Sequence, residues 1–145
     1  MKQDFKRTII IFLLFTLPVS AFSNQKIILN MKLKQCPNSP NCVSSQSESE
    51  SHHIDPLPYN SSGDEAMKKI KKTILAMPRT NLVEEKEHYL HVEFKSSVLR
   101  FVDDVEIIID DSEKLIHLRS ASRIGHSDFG ANRRRIDEIK KNFLQ

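Results

Sequence analysis

The densest chemistry in the chain lies in one run: Arg119-Ser-Ala-Ser-Arg123-Ile-Gly-His-Ser127-Asp-Phe-Gly-Ala-Asn132-Arg-Arg-Arg135. Arginine presents a planar fork of donors that matches a carboxylate or a phosphate. The hydroxyls of Ser120, Ser122 and Ser127 add donors at short range. The run reads as a strand ending near Arg119 and Ser120, a turn through Gly125, and a helix entered at Ser127 or Asp128. Helix N-termini leave N–H groups unsatisfied and attract anions. The expectation is therefore an anion- or partner-binding site built from Arg119, Ser120, Ser122, Arg123, Ser127, Asp128, Asn132, Arg133 and Arg135. A structural network competes with it. Asp128 can fill the helix N-terminus itself, and Arg119 or Arg123 can pair with Asp103 or Asp104 across a sheet. Residues 133–135 point about 100° apart on a helix and make no single patch.

Other chemistries ask more of the residues. A hydrolase needs a nucleophile with a base. Ser44 and Ser45 have no base evident in the sequence, and Ser122 or Ser127 with His126 are neighbours that rarely supply triad geometry. Asp103 and Asp104 are adjacent, so on a strand they face opposite sides and cannot form a dyad without a bulge. His91 and His117 share the outer face of the expected sheet, the pattern of solvated side chains as much as of ligands, and no metal site is assigned. No cofactor is called for: three Gly in the chain leave no glycine-rich phosphate loop or dinucleotide fingerprint.

Cys36-Pro-Asn-Ser-Pro-Asn-Cys42 holds both cysteines. A pair this close in an oxidising compartment reads as a disulfide. It lacks zinc-ligand spacing, and redox pairs show C-x-x-C. Loop-closure entropy gives so small a ring about 2 kcal/mol, enough to pin a local bend.

The compartment follows from the N-terminus. Lys2, Lys6 and Arg7 precede the apolar stretch from Thr8 to Leu17, and Pro18 breaks it. Cleavage after Ala21, with Val19 at −3, or after Ser23, with Ala21 at −3, meets the small-residue rule. The expectation is export, to the periplasm or beyond the cell, with residues 1–23 as signal peptide and membrane association only through an uncleaved leader. Without those residues Lys+Arg falls from 22 to 19 and Asp+Glu from 19 to 18, leaving +1. No basic field remains to hold nucleic acid.

The elements that position the site are legible from periodicity. The 145 residues allow one core. Residues 24–62 read as a disulfide-closed loop and a polar segment, with the run from Ser44 to Ser51 free of packing obligations. Residues 63–145 read as a single domain. Ser62-Gly-Asp-Glu65 is a capping box, opening a helix from about Gly63 to Met77 that buries Met67, Ile70, Ile74 and Met77 and ends at Pro78. Strands follow at 81–85, 88–96, 105–109 and 114–120, with Asp110-Asp-Ser-Glu113 as the turn between the last two. A second helix from about Asp128 to Leu144 places Phe129, Ile136, Ile139 and Phe143 in one apolar stripe, with Asn132 inside it. The fold class is α+β: an antiparallel sheet of about four strands with two helices packed on one face.

Three blocks carry a resemblance: Cys36-Pro-Asn-Ser-Pro-Asn-Cys-Val-Ser-Ser45, Arg100-Phe-Val-Asp-Asp-Val-Glu106, and Arg119-Ser-Ala-Ser-Arg-x-Gly-x-Ser-Asp-Phe-Gly-x-Asn-Arg-x-Arg-Ile136. They resemble the signature blocks of the family known as domain of unknown function 1499, over about Gln35 to Leu144. The resemblance implies a small, often exported or membrane-associated domain of bacteria and plastid-bearing eukaryotes, with no agreed activity. The functional expectation is a cell-envelope binding or assembly module for a small anionic ligand or an envelope protein partner. A small hydrolase or metal-binding envelope protein is the alternative.

Overall fold

Alternating apolar residues on β5 (Val102–Asp110) and β6 (Leu115–Ser122) set the centre of the sheet. Val105, Ile107 and Ile109 point to one side, beside their cross-strand partners Ser120, Leu118 and Ile116. The computed structural model describes residues 31–97 and 99–145. The expected leader, its cleavage site and residues 24–30 lie outside them. No helix of the described residues is long and apolar enough to cross a membrane.

β4 (Tyr89–Lys95) pairs with β5, and β3 (Thr80–Lys86) forms the far edge. β1 (Cys42–Ser44) and β2 (Leu57–Pro58) pair with successive stretches of the other side of β6. The sheet is antiparallel with six strands, ordered β1-β6-β5-β4-β3 with β2 also on β6. The four long strands match the expectation. The two short ones were missed because a two- or three-residue strand is too short to show alternation. They also pair Cys42–Ser44 and Leu57–Pro58 with β6, so these stretches of the segment before Ser62 are part of the sheet. The Ser-rich run is packed at its start, where Ser44 and Ser45 are buried against β6.

α1 (Gly63–Leu75) begins with the expected capping box: the Glu65 N–H donates to Ser62 Oγ and the Ser62 N–H to Glu65 Oε2. It ends two residues before the expected Met77, and Met77 still reaches the core. α2 spans Ala131–Phe143 and buries Ile136, Ile139 and Phe143 beside Ile70 and Ile74 of α1. Both helices cover the face that carries Leu90, Val92, Val105, Ile107 and Leu118.

The start of α2 departs from the expected one. Its N-cap is Gly130, with φ at 78°, not Ser127 or Asp128. Phe129 therefore precedes the helix and leaves the apolar stripe, with φ at 51° and 89% exposure. Two successive left-handed residues turn the chain so that the Asp128 carboxylate reaches back to the helix N–H groups. An aromatic held at positive φ is strained, and nothing in the core is gained by it.

The disulfide joins Cys36 to Cys42 as expected. Cys42 sits opposite Ala121 on β6. The ring thus anchors the sheet's β1 edge.

Candidate functional site

Register decides the fate of the C-terminal polar block. Ser120 and Ser122 lie on the helix-covered face with Val105 and Asp103, whereas Arg119 and Ala121 lie on the opposite face with Glu106 and Asp104. Alternation along one strand therefore places Ser120 and Arg119, expected in one site, on opposite faces of the sheet.

On the covered face Asn132 is fully buried. Its Oδ1 accepts from Ser120 Oγ at 2.6 Å and from Arg135 Nη1 at 2.7 Å. Its Nδ2 lies 2.9 Å from the Asn41 carbonyl, 2.9 Å from Ser122 Oγ and 2.8 Å from Asp128 Oδ2. The Asn132 backbone N–H also donates to Asp128 Oδ2 at 2.7 Å, and the Gly130 N–H to Asp128 Oδ1 at 3.0 Å. Arg135, one turn further along α2, donates through Nη2 to Asp103 at 2.5 Å and stacks 5.0 Å from the Phe94 ring centre. Asn41 extends the network to the turn, donating to the Gly125 carbonyl at 2.6 Å. Ser120, Ser122, Asp128, Asn132 and Arg135 thus satisfy one another. A buried amide without partners costs about 1–3 kcal/mol.

On the outer face Arg119 donates to Glu106 at 2.5 Å, and Tyr89 Oη donates to the same carboxylate at 3.0 Å. Burial, then Glu106, pushes the Tyr89 hydroxyl well above the ordinary phenol range. Arg119 is 5% exposed, and its Nε is buried without a hydrogen-bond partner. Arg123 forks onto Asp104, at 2.9 and 2.8 Å, and reaches Glu93 at 2.5 Å. His91 Nε2 lies 2.7 Å from Asp104 Oδ1. The competing pairing of Arg123 with Asp104 is the one formed, while Arg119 takes Glu106 and Asp103 goes to Arg135.

The remaining members are dispersed. Arg133 donates to the carbonyls of His53 and Ser51, both at 3.1 Å, pinning the Ser-rich loop. Ser127 Oγ accepts from the Phe129 N–H at 3.3 Å in an exposed turn. Arg119, Ser120, Ser122, Arg123, Ser127, Asp128, Asn132, Arg133 and Arg135 do not converge on one pocket, because the sheet and the α2 entry turn send them in four directions.

Among the described residues neither Ser122 nor Ser127 is hydrogen-bonded to His126. One serine–histidine contact went unforeseen: Ser45 Oγ lies 3.2 Å from His117 Nδ1 and accepts from the Leu118 N–H at 3.0 Å. Burial lowers the His117 pKa. The serine hydroxyl is buried and ties the chain after β1 to β6. The partners are 72 residues apart, so only the register of β1 on β6 brings them together. Among the described residues no group of three or more His, Cys, Asp or Glu is arranged to hold a metal ion.

An open concavity lies elsewhere. A cavity of about 420 Å³ at the end of the sheet where β3 and β5 begin and β4 ends is lined by Arg79, Thr80, Asn81, Lys95, Ser96, Ser97 and Arg100. Arg79 pairs with the end of β4: the Lys95 N–H donates to the Arg79 carbonyl at 3.0 Å, and Arg79 Nε donates to the Lys95 carbonyl at 3.1 Å. Ser96 closes the following loop, its Oγ accepting from the Phe101 N–H at 2.9 Å. Arg79 and Arg100 both hold left-handed backbone, with φ at 61° and 54°. None of Arg79, Lys95 and Arg100 is in an ion pair with a described residue. Glu93, the carboxylate bonded to the lining residue Asn81, is held by Arg123, which keeps its carboxyl below the usual range. The residue types of Arg79 and Lys95 carry no signal on their own, and positive φ in arginine is not readable from sequence.

Fold and site together define a small α+β domain, six antiparallel strands under two helices, braced by a buried asparagine–arginine network and closed at one edge by a disulfide. The family described as "Protein of unknown function (DUF1499)" matches residues 32–143, and the chain belongs to it. A comparison with curated proteins finds none that matches.

Two outcomes follow. Asn132→Leu keeps the volume but strips partners from Ser120, Arg135 and Asp128. It is expected to cost on the order of 3 kcal/mol or more, read as a lower urea midpoint; an unchanged midpoint contradicts the network. The second concerns acid. Burial raises the Asp104 carboxyl, but hydrogen bonds from Arg123 and His91 outweigh it and hold it below the usual range. Asp128 is likewise raised by burial and lowered further by the Asn132 and Gly130 N–H groups. A carboxyl depressed in the native state adds stability above its unfolded pKa of about 4 and loses it as pH falls through the native value. Asp104→Asn is therefore less stable than wild type at neutral pH, with a shallower loss of melting temperature below about pH 4. Parallel acid curves would show that Asp104 is not so held.

Proposed function

We propose that this protein is an exported binding module whose cationic cavity, lined by Arg79, Lys95 and Arg100, takes an anionic group. The observation that carries the reading is the contrast between two sets of cations. Arg119, Arg123 and Arg135 each meet a carboxylate. Arg79, Lys95 and Arg100 share one cavity with no such partner among the described residues. Gathering like charges raises the free energy of the empty site, and left-handed backbone at two of them adds strain of order 1–2 kcal/mol each. An anion relieves the repulsion, and Thr80, Ser96, Ser97 and Asn81 supply neutral hydrogen-bonding groups around it.

Export is supported by the Cys36–Cys42 disulfide, which persists in oxidising compartments. The expectation of an anionic ligand is kept, and its place moves from the C-terminal block to the β3–β4–β5 end. A module of this kind needs no nucleophile, and the cavity lining contains no histidine or carboxylate to act as a base.

The test is a titration of the ¹⁵N-labelled chain with inorganic phosphate. Phosphate is expected to move the Lys95, Ser96 and Arg100 resonances together, and the double variant Lys95→Gln/Arg100→Asn is expected to bind at least about tenfold more weakly. Asn tolerates the left-handed backbone that Arg100 holds. Equal affinity in the variant, or no shifts at the cavity, would overturn the reading.

A further inference from the structure

The end of the sheet that holds the cationic cavity also carries apolar side chains that the core does not use. Leu99 and Phe101 lie in the loop between β4 and β5, and Ile124 and Phe129 in the loop between β6 and α2. All four are exposed, at 67%, 43%, 58% and 89%. The strands place the two loops at the same end, because Asp103 at the start of β5 pairs with Ser122 at the end of β6. The Arg123 N–H then donates to the Val102 carbonyl at 3.1 Å, carrying the contact past the strand ends.

Single exposed apolar residues are ordinary. Here four large ones crown one end. Among the described residues, three of the four non-glycine residues with left-handed backbone, Arg79, Arg100 and Phe129, are at this same end. Strain concentrated in one region marks a surface whose shape is kept for something other than stability. Arg79, Lys95 and Arg100 at this end are in no ion pair with a described carboxylate, unlike Arg123, and Leu99 and Phe101 flank Arg100 in the same loop. Such a surface complements an interface that offers negative charge at its surface and hydrocarbon just beneath it. Phe and Leu enter the boundary between headgroups and acyl chains while nearby Lys and Arg meet anionic headgroups.

Resting on the anion-binding reading above, we infer that this end of the sheet docks onto an anionic phospholipid surface, with Arg79, Lys95 and Arg100 on the headgroup phosphates and Leu99, Phe101, Ile124 and Phe129 inserted between them. This departs from the expectation that only an uncleaved leader could bring the chain to a membrane. The attachment is peripheral and reversible. It weakens with salt, because about an 8 Å Debye length at physiological ionic strength screens the headgroup field.

The experiment is co-sedimentation of the chain, recovered from the export compartment, with vesicles of phosphatidylglycerol and phosphatidylcholine in equal parts, beside vesicles of phosphatidylcholine alone. Binding to the anionic vesicles only is expected. Lys95→Gln/Arg100→Asn should lower the partition coefficient roughly 30-fold and also abolish the phosphate shifts. Phe101→Ser/Ile124→Ser/Phe129→Asn should lower it at least about tenfold while leaving the phosphate titration unchanged. Phosphate binding with no vesicle binding, or vesicle binding indifferent to the apolar variant, would overturn the lipid inference and leave the anion site standing. Vesicle binding lost equally in both variants, together with phosphate shifts lost in the apolar variant, would show one collapsed site and overturn the division of labour. Capture by soluble poly-glutamate as tight as by vesicles, insensitive to the apolar variant, would replace the lipid surface with an acidic polypeptide. Absence of both phosphate and vesicle binding would overturn this inference and the reading beneath it.

Discussion

A buried primary amide has an acceptor and two donors that must be matched, and Asn132 matches them with partners from four separate stretches of chain. Asn41 comes from the disulfide ring, Ser120 and Ser122 from β6, Asp128 from the loop before the helix, and Arg135 from the next turn of α2. Arg135 then ties the assembly to β5 through Asp103. In a low-dielectric site each such bond is strong and each missing one costly. The position of α2 on the sheet, the path of the ring and the entry turn through Gly130 are therefore conditions of one another. Hydrophobic packing of Ile136, Ile139 and Phe143 drives α2 onto the sheet, and the amide specifies where along it the helix starts.

That constraint reorganises the functional question. The side chains that look most capable of holding an anion spend their hydrogen bonds on the fold. The strand pleat then splits them, sending Arg119 and Arg123 to the outer face, where carboxylates from β4 and β5 already lie opposite. Arg79, Lys95 and Arg100, which meet no described carboxylate, gather just before β3, at the end of β4 and in the loop that follows. Arg79 and Lys95 are held together by the bond from the Lys95 N–H to the Arg79 carbonyl and by the one from Arg79 Nε to the Lys95 carbonyl, so the proximity of this pair is imposed by the fold and does not depend on a ligand. The ionic lattice of the outer face keeps Glu93 and Asp104 bonded to Arg123.

Much of this architecture was legible in residue order. The Ser62 and Glu65 pattern located α1, the alternation through Leu90, Val92 and Phe94 located β4, and the carboxylate-rich turn at 110–113 joined β5 to β6. The unease of an asparagine within an apolar stripe pointed correctly to a residue needing partners. What was not legible has physical causes. β1 and β2 are shorter than one period of any useful pattern. Phe129 looks like core to a 100° wheel, because nothing in its type announces a left-handed backbone. The nine candidate residues looked convergent because sequence proximity hides the pleat, which turns Arg119 away from Ser120. Arg79 and Arg100 meet only through antiparallel pairing, and Ser45 meets His117 only through the register of a three-residue strand.

The C-terminal block is a satisfied brace, and the β3–β4–β5 end is the anion site we propose. Hydrogen exchange of the Asn132 side-chain amide, followed by NMR with and without inorganic phosphate, separates the two most directly. The Asn132 amide protons are expected to exchange only through global unfolding, and phosphate is expected to leave their shifts unmoved. Rapid exchange, with Asn132 shifts that follow phosphate, would contradict the brace and return the binding site to the arginine–serine block.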